Sequence, residues 1–576
     1  MKITLAILQK NAKLMKSLIR RTSRVVRIGN VLVGGQEPIR IQSMLTSDTC
    51  DVPKVIEEME LLVQAGCEII RITVPNHRSL EALCKIREFM FNRGINIPLV
   101  ADIHFNPQLA VNAAEFVEKV RINPGNYVDK KRFEIIKYTE VQYQEELQRL
   151  EEKLLPLIKQ LKKYDRSLRI GTNHGSLSDR VMNRFGDSPQ GMAESAMEFL
   201  RILEKHQYFE TVISMKASNP IVMRAAYQEI VRKMDLEKMN YPLHLGVTEA
   251  GNGIDGRVKS ALGIGSLLLD GIGDTIRVSL TEPAMNEIPA ARSILNGTKK
   301  LARKSLPIQI DQQSNMVPKE IEINGIKLGG EAPFRLMGIS DFVMDDLPSE
   351  PFDKVWDRKQ WASEIFPNLY PCDFKNSIIG NKAVLIKSDE LDLQKIIEFR
   401  RVLEIKGFEP VFLAMLSLTE EEDELMGLAA GLGSLILMNM IQGIIVPTTN
   451  LNHPTVEMIL SLLQAARVKM HKADFISCPS CGRTHFDLQT ATAKIKMETE
   501  HLKGVKIGIM GCVVNGPGEM ADADFGYVGA GSGKINLYKG HNCVRKNIPE
   551  EKAVDYLIDL IQEHGMWQDL KKTSEK

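Results

Sequence analysis

The sequence predicts an α/β protein with three parts: an N-terminal TIM (β/α)8 barrel, an inserted α/β middle domain and a small C-terminal α/β domain. Three observations predict it. Eight short apolar, β-branched runs recur between residues 39 and 281, helical stretches separate them, and three of the eight cysteines fall in two late motifs. Eight strand-plus-helix units in about 250 residues are typical of a closed parallel barrel rather than an open sheet.

The eight predicted strands are, in chain order, IRIQSM, EIIRITVP, IPLVADIHF, KVRINPGN, LRIGTNHGS, TVISMKAS, PLHLGVTEAG and TIRVSLT. The stretches between them have apolar residues at helical spacing, and several end at the Gly expected after a helix C-terminus; examples are VIEEMELLVQAG and PQGMAESAMEFLRILEKH. In a barrel of this kind the active site lies at the carboxyl ends of the strands.

The predicted strand ends carry many polar residues, which are Arg71, Asp102, His104, Arg121, Asn123, Asn126, Asn173, Ser176, Lys216, His244, Glu249, Arg277 and Ser279. Four of them, Arg71, Arg121, Lys216 and Arg277, are cations and are called the cation set below. Guanidinium forks match phosphate oxygens and a Lys adds a point charge, so the set suits an anion with several charges. Each residue alone is as well explained as an ordinary rim residue; the number of cations and the scarcity of acids favour an anion site.

The overall charge points to no polyanionic partner, because 74 Lys and Arg balance 73 Asp and Glu. No apolar stretch reaches the 18 or so residues that span a bilayer. The first 36 residues hold eight basic residues and no acid. We expect residues 1–24 to be a native basic segment of a cytoplasmic protein; a transit peptide, with location in the plastid stroma, is the alternative. Sparse cysteines fit a reducing compartment.

The pattern changes after Thr281, and it predicts the domain bounds. Residues 25–297 form the barrel, and a basic, irregular stretch then leads into a region that has α/β character but no cluster of titratable residues at strand ends. We interpret residues 298–455 as a spacer. Residues 456–576 form the domain that carries the cysteine motifs.

The two cysteine motifs are FISCPSCGRTHFDL, with Cys478 and Cys481, and IMGCVVNGPGE, with Cys512 and Glu519. The C-x-x-C pair alone suits a structural zinc site as well as an iron-sulfur site. However, a second C-x-x-C pair is missing, and the turn in GPG can bring Glu519 back towards Cys512. A carboxylate is a weaker ligand than a thiolate, which would suit an iron that must open to a substrate oxygen. Cys543 is the rival fourth ligand.

Taken together, the motifs resemble those of the 4-hydroxy-3-methylbut-2-enyl diphosphate synthases of the methylerythritol phosphate isoprenoid pathway, in the long form with an inserted middle domain. The matching stretches cover the barrel and the last domain nearly end to end, and they are IQSM, ADIHF, RINPGN, RIGTNHGSL, SMKASNP, LHLGVTEAG, GIGDTIRVSLTEP, FISCPSCGRT and MGCVVNGPGEMADADFGYVG. In the middle region the likeness lies in placement and length more than in motifs.

The resemblance implies a reductive ring opening of 2-C-methyl-D-erythritol 2,4-cyclodiphosphate with loss of water and uptake of two electrons. It implies that Cys478, Cys481 and Cys512 hold a 4Fe-4S cluster and that Glu519 is the ligand of the remaining iron. Glu249 would act on the substrate as an acid. The residues implied to surround the cyclic diphosphate are Arg71, Arg121, Asn123, Asn173, Lys216 and Arg277.

The resemblance also implies a ferredoxin or flavodoxin as electron donor, no nucleic-acid or membrane partner, and a middle domain that lets one chain bring its own iron-sulfur domain to its own barrel. Two other interpretations stay open at this point. One is a redox-inert barrel, such as a pterin-type synthase or an aldolase, with a structural zinc tail, and the other is a zinc-bearing binding module without chemistry.

Overall fold

A computed structural model describes residues 20–128, 137–302, 318–323, 325–340, 352–357, 369–371, 383–405, 407–409, 411–447, 453–484, 486–513, 516–520 and 522–569. Most of the basic segment predicted at residues 1–24 lies outside these ranges. The chain divides into two compact units. One contains the described residues of 20–21, 261–272 and 292–471, and the other contains those of 22–260, 273–291 and 472–569.

The strands of the second unit form a barrel, a short hairpin and a C-terminal sheet. The hairpin is β1 (Val26–Ile28) and β2 (Val31–Val33). The barrel strands are β3 (Arg40–Met44), β4 (Ile69–Thr73), β5 (Leu99–Ile103), β6 (Lys119–Ile122), β7 (Ser167–Asn173), β8 (Thr211–Lys216), β9 (His244–Leu245) and β10 (Thr275–Ile276).

The predicted (β/α)8 barrel is confirmed. Its eight strands are parallel and follow the order β8-β7-β6-β5-β4-β3-β10-β9, and the pairing of Ile213 with Leu243 joins β8 to β9 and closes the ring. Seven strands lie within the eight apolar runs, and β7 begins one residue before its run, at Ser167. The hairpin packs Val26, Ile28 and Val33 against residues at the amino ends of β4, β5 and β8, so an apolar core fills the end of the barrel opposite the carboxyl ends.

The helices that follow these strands begin and end where the sequence indicates. Asp51 caps the first of them by accepting a hydrogen bond from the Lys54 amide, and the helix ends at Gly66 in the left-handed conformation. The helices in this part of the chain are α1 (Val52–Ala65), α2 (His77–Asn92), α3 (Pro107–Ala113), α4 (Pro124–Tyr127), α5 (Glu140–Tyr164), α6 (Asp179–Phe185), α7 (Pro189–Lys205), α8 (Pro220–Leu236), α9 (Gly253–Ser260), α10 (Ser266–Leu269) and α11 (Glu287–Ala302). A π-helical turn, Ala261–Gly265, joins α9 to α10.

The middle region has a parallel six-stranded sheet and a short hairpin, β11 (Ile321–Ile323) and β12 (Ile326–Leu328). The sheet strands are β13 (Arg335–Ser340), β14 (Lys354–Asp357), β15 (Leu369–Pro371), β16 (Ala383–Lys387), β17 (Phe412–Met415) and β18 (Gly443–Pro447). Their order, β14-β13-β18-β17-β16-β15, is the cyclic order of an α/β barrel opened between β14 and β15. The helices are α12 (Leu393–Ile405), α13 (Glu422–Leu437) and α14 (Pro454–Ala465).

The C-terminal domain is a five-stranded mixed sheet covered by helices. Its strands are β19 (Asp474–Ser477), β20 (Lys506–Met510), β21 (Phe525–Gly531), β22 (Lys534–Lys539) and β23 (Asn542–Pro549). Its helices are α15 (Leu488–Thr499), α16 (Gly516–Glu519) and α17 (Glu550–Glu563). The first two strands are parallel, so the loops after Ser477 and Met510, which carry the cysteines, leave the same edge of the sheet. Across all the described ranges, no helix combines the length and the apolar character that a bilayer span requires.

Candidate active site

A cavity of about 90 Å³ lies between the carboxyl ends of the barrel strands and the loops of the C-terminal domain, within one compact unit. It has room for several water-sized groups, so it is not a gap in a packed core. The sequence-predicted residues that line it are Arg71, Asp102, His104, Arg121, Asn173, Lys216, Glu249, Arg277, Ser279, Cys478, Cys481, Cys512 and Glu519. The structure therefore brings the cation set and both cysteine motifs to one place.

Arg121 is held by a network of polar groups at the ends of β5 and β7. Its Nη1 lies 2.7 Å from Asp102 Oδ1 and 2.8 Å from His104 Nε2, and its Nη2 donates to the carbonyl of Gly171 at 2.8 Å. Burial alone would raise the pKa of Asp102, but Arg121 and other cations hold it well below its usual value. Burial lowers the pKa of His104 to about 3. His104 Nε2 thus accepts from Arg121 as a neutral imidazole.

Arg277 is also paired with a carboxylate, at a position that the sequence did not indicate. Its Nε and Nη2 donate to the two oxygens of Glu287 at 3.0 and 2.9 Å, and both side chains are buried. The inference that few acids lie near the cation set is therefore only partly correct. Asp102 and Glu287 neutralise Arg121 and Arg277. The two-point fork with Glu287 fixes Arg277, and Asp102, His104 and the Gly171 carbonyl together fix Arg121.

Arg71 and Lys216 form no ion pair with any residue that the structure describes. Arg71 directs Nε and Nη2 at the Met44 sulfur, at 3.0 and 2.7 Å, and a thioether is only a weak acceptor. Burial lowers the pKa of Arg71 to about 9, and burial next to Arg71, Arg169 and Arg277 lowers the pKa of Lys216 well below its usual value. Two buried cations without counterions make a strong binding site for an anion.

Asn123 lies away from the cavity. Its Oδ1 accepts a hydrogen bond from the Gly125 amide at 3.2 Å and so caps α4, and its Nδ2 donates to Ser176 Oγ at 3.0 Å. A Cβ on Gly125 would lie 1.7 Å from the Ser176 carbonyl oxygen, so the two loops meet through bare backbone. In this arrangement Asn123 joins the RINPGN and NHGS loops.

A second set of cationic side chains lies deeper in the barrel, and sequence reasoning missed most of it. Lys119 and Arg169 are fully buried, and Lys119 Nζ, Arg169 Nε and Nη1 and His244 Nε2 have no hydrogen-bond partner among the described residues. Lys119 and Arg169 precede the strand ends, two and four residues before Arg121 and Asn173. The sequence did carry a signal for them. Side chains alternate between the two faces of a strand, so Lys119 lies on the same inner face as Arg121, and Arg169 on the same inner face as Asn173.

The cysteine loops bring three thiols together, and we call Cys478, Cys481 and Cys512 the thiol set. Cys478 Sγ accepts a hydrogen bond from the Gly511 amide at 3.2 Å, and Cys481 begins a turn closed by the Thr484 amide. Burial raises the pKa of Cys478, and the negative charge of the other two thiolates raises it further. Within the described residues, no three His, Cys, Asp or Glu side chains are grouped closely enough to hold one metal ion. Cys543 lies on β23, where its thiol faces the Arg545 carbonyl, outside the cavity.

Glu249 has a strained backbone and a perturbed carboxyl. Its φ of 50° is in the left-handed region, which a side chain other than Gly seldom adopts, and such strain is common at functional sites. Burial raises the pKa of Glu249 well above its usual value, and the nearby Glu519 carboxylate adds to the shift. Both effects favour the protonated form of the Glu249 carboxyl inside the cavity.

The C-terminal domain contacts the barrel mouth through polar groups and backbone. Asn173 Nδ2 donates to Glu519 Oε1 at 2.8 Å, Thr281 Oγ1 lies 3.1 Å from the Cys478 carbonyl oxygen, and Ala250 pairs with Ser477 as an isolated parallel bridge. A Cβ on Gly175 would lie 2.1 Å from the Gly518 carbonyl oxygen. The backbone of Gly175, in the NHGS loop, thus contacts the backbone of Gly518, the residue before Glu519.

Arg483, which sequence reasoning also missed, lies where the two domains meet. It lines the cavity, and its Nη2 is 3.5 Å from Asp102 Oδ2. The available signal was its position directly after CPSCG, two residues from Cys481, which the sequence predicts as a ligand.

Comparisons with known proteins give separate matches for the barrel and for the C-terminal domain. The model of the GcpE TIM-barrel domain matches residues 23–292, and the model of the GcpE protein C-terminal domain matches residues 474–563. A protein of Akkermansia muciniphila named 4-hydroxy-3-methylbut-2-en-1-yl diphosphate synthase (flavodoxin) is 43% identical, with 96% of this chain and 98% of that protein covered. A protein of Leptospira interrogans with the same name is 40% identical, with 96% and 97% covered.

The solved structures that match are less similar. A truncated 3-deoxy-D-arabino-heptulosonate 7-phosphate synthase from Thermotoga maritima is 12% identical, covers 49% of this chain and 92% of its own, and has a TM-score of 0.29. The dihydropteroate synthase of Burkholderia cenocepacia is 12% identical, covers 48% and 99%, and has a TM-score of 0.32.

Proposed function

This chain belongs to the GcpE family, and on that premise we propose that it catalyses the reaction whose product names its relatives. The substrate is 2-C-methyl-D-erythritol 2,4-cyclodiphosphate, which is opened and reduced to 4-hydroxy-3-methylbut-2-enyl diphosphate in the methylerythritol phosphate pathway. Two electrons and two protons enter, one carbon–oxygen bond to phosphate breaks, and one hydroxyl leaves as water. The enzyme is an oxidoreductase of isoprenoid biosynthesis.

One observation carries the proposal: the cation set, the thiol set and Glu519 line the same cavity. The cation set provides the positive charges that bind a cyclic diphosphate, and the thiol set provides the ligands that bind a one-electron cofactor. A barrel aldolase or pterin-type synthase with a remote zinc tail has no reason to place its cysteines at the barrel mouth. That alternative finds no support in the full-length relatives described above.

The cation set binds the diphosphate, in two different ways. Arg121 and Arg277 are held rigid by Asp102 and Glu287 and offer oriented donors, while Arg71 and Lys216 lack counterions and gain most from a phosphate. Arg169 and Lys119 add positive potential from below. Asn173 contacts Glu519 and so lies between the substrate and the C-terminal domain, and Asn123 holds the loops in place.

Glu249 supplies a proton to the departing hydroxyl. It is buried beside the Glu519 carboxyl, and both the burial and the neighbouring carboxylate raise its pKa and so favour its protonated form. A general acid of this kind must hold its proton until the leaving group accepts it. The left-handed backbone at Glu249 aims the carboxyl into the cavity.

The residues present fit a 4Fe-4S cluster held by Cys478, Cys481, Cys512 and Glu519. The Gly511 amide donates a hydrogen bond to Cys478 Sγ, as amides do in iron-sulfur sites. Burial and the two neighbouring thiols raise the pKa of Cys478, and a positively charged group bound there would favour its thiolate. When bound, the cluster supplies electrons one at a time. Glu519 is held by Asn173 when it is not a ligand.

We also propose that catalysis occurs in cis and that the electron donor is a flavodoxin or a ferredoxin. The barrel and the C-terminal domain of one chain form one compact unit, and flavodoxin stands in the names of the relatives. Residues 25–297 then bind substrate, residues 298–455 are a spacer and residues 456–576 hold the cluster.

Anaerobic purification tests the proposal. The protein is expected to be brown, to hold about four irons per chain, and to convert the cyclic diphosphate with a one-electron reductant until air is admitted. Glu519→Ala should keep most of its iron and lose turnover. Glu551→Ala, at an exposed glutamate on α17, is the matched control and should behave as wild type.

Two results would overturn the proposal. A colourless chain that contains zinc after anaerobic purification would exclude the iron-sulfur assignment. Full turnover in Glu519→Ala would exclude the ligand role of that carboxylate.

A further inference from the structure

Arg483 is the C-terminal domain's own cation at the cavity, and it has a buried guanidinium with two different neighbours. On the barrel side its Nη2 lies 3.5 Å from Asp102 Oδ2. On its own side it lines the same cavity as Cys481 and Cys512, and both thiols lie close enough to interact with its charge. Its side chain is 14% exposed. Holding a long charged side chain in this position requires both neighbours, because the guanidinium has lost its water.

The backbone next to Arg483 is pressed against the barrel. A Cβ on Gly482 would lie 2.7 Å from the Ser47 carbonyl oxygen and 3.0 Å from Thr73 Oγ1. The glycine therefore lets the turn after Cys481 lie directly on the loops that follow β3 and β4. The position of Arg483 relative to Asp102 is set by this contact.

Asp102 connects Arg483 to the substrate side of the cavity. Its other oxygen, Oδ1, pairs with Arg121 at 2.7 Å, and Arg121 Nη2 lies 3.3 Å from Asn173 Oδ1. One carboxylate thus lies between Arg121 of the cation set and Arg483, which lines the cavity together with the thiol set. A shift of the cysteine loop relative to the barrel would break this arrangement.

We propose that Arg483 is a positioning residue: its guanidinium bridges Cys481 and Asp102, and so fixes the cysteine loop and its charge over the barrel mouth. The inference rests on the proposed function, since it concerns how electrons reach the substrate. Two consequences follow. The Arg483 guanidinium keeps the thiol set at a fixed distance from the bound substrate, and its positive charge favours the reduced, more negative state of the group that the thiols hold.

The first measurement is the reduction potential of the iron-loaded enzyme. Arg483→Gln removes the charge and should shift the one-electron equilibrium about tenfold towards the oxidised state, which is about 59 mV. Arg483→Lys keeps the charge and should restore the potential. The matched control is Lys472→Gln: Lys472 pairs across the same two domains with Asp255, at 2.7 Å, and is not among the residues that line the cavity. Its potential should equal that of wild type.

The second measurement separates positioning from substrate binding. Arg483→Gln should lower kcat tenfold or more and leave KM within twofold, and Arg483→Lys should recover kcat only in part because an ammonium cannot span both neighbours. Asp102→Asn combined with Arg483→Gln should lower kcat less than the product of the two single effects, since the two residues act as one bridge. Hydrogen exchange in residues 476–484 should be faster in Arg483→Gln than in wild type.

The outcomes are distinct. Wild-type potential and kcat in Arg483→Gln would overturn the proposal, and so would a raised KM with kcat retained, which would make Arg483 a substrate ligand. If Arg483→Gln does not retain its iron, Arg483→Lys decides: a lowered kcat at an unchanged potential supports positioning, and a wild-type kcat refutes it. A wild-type chain without iron or turnover refutes the proposed function instead, before any variant is compared.

Discussion

Gly175 makes a close backbone contact between the barrel and the C-terminal domain, and replacing this residue by Ala tests how precisely the two must meet. The new Cβ would lie 2.1 Å from the Gly518 carbonyl oxygen, so the loops must separate by about 0.9 Å to reach the 3.0 Å that real Cβ contacts require. The neighbouring hydrogen bond from Asn173 to Glu519, now 2.8 Å, would then lengthen to about 3.7 Å and be lost.

The expected effect of Gly175→Ala is a large loss of turnover with a small loss of stability. A misplacement of about 1 Å between reacting groups costs about a hundredfold in rate, so kcat/KM should fall about that much. The positive φ of 75° should lower the free energy of unfolding by about 1 kcal/mol, because Ala is strained there. Steady-state turnover with a chemical one-electron reductant and urea unfolding measure the two effects.

Gly94→Ala is the matched control. Gly94 has a similar φ of 65°, and no atom lies within 4 Å of the place that its Cβ would take, so the variant carries the same strain without the contact. It should lose about 1 kcal/mol of stability and keep full turnover. If Gly175→Ala turned over within threefold of Gly94→Ala, the contact with Gly518 would not set the position of Glu519, and the reasoning would be refuted.

Two further predictions concern buried charges. Lys216→Met removes a cation that has no counterion, so the free energy of unfolding without substrate should rise by roughly 1–3 kcal/mol. The stabilisation that added inorganic pyrophosphate gives in thermal unfolding should fall in this variant. An unchanged response to pyrophosphate would contradict the prediction. His104 has a pKa of about 3 in the folded protein and a pKa near 6.5 in the unfolded chain. As the pH drops from 6.5 towards 3, the unfolded chain takes up a proton at His104 and the folded protein does not. The free energy of unfolding therefore falls over this range, by up to about 1.4 kcal/mol per pH unit. His104→Asn should flatten that slope in urea unfolding at pH 7 and pH 5, and an equal slope in both proteins would count against a neutral buried imidazole.

The sequence was sufficient for the barrel because its signal is local and repeated. Each strand is a short apolar run that ends in polar residues, and helix caps such as Asp51 and Gly66 are set by neighbouring residues. The residues of the cation set could be identified because parallel strands must end at one edge, whatever the lengths of the helices between them.

The pairing of those residues could not be predicted from the same pattern. Glu287 lies ten residues after Arg277, beyond the barrel strand, and nothing local indicates that it turns back to form a fork. The resemblance implies that Asn123 lies near the substrate, and the sequence does not indicate that its two polar ends bond to Gly125 and Ser176. Which partner a polar side chain takes depends on the approach of distant loops, and this is a property of the folded chain.

The arrangement of charges also explains why the site can be both stable and ready to bind. Asp102 and Glu287 neutralise two cations and keep their geometry fixed, at little risk to folding. Arg71 and Lys216 stay without counterions and lower the stability of the empty chain. A bound diphosphate neutralises these two cations, so the free energy that they cost the empty protein is recovered as binding free energy. The ligand then stabilises the fold in proportion to the logarithm of its concentration. Removing Lys216 should therefore act in opposite directions on the empty and the liganded protein, whereas a merely structural lysine would lower the stability of both.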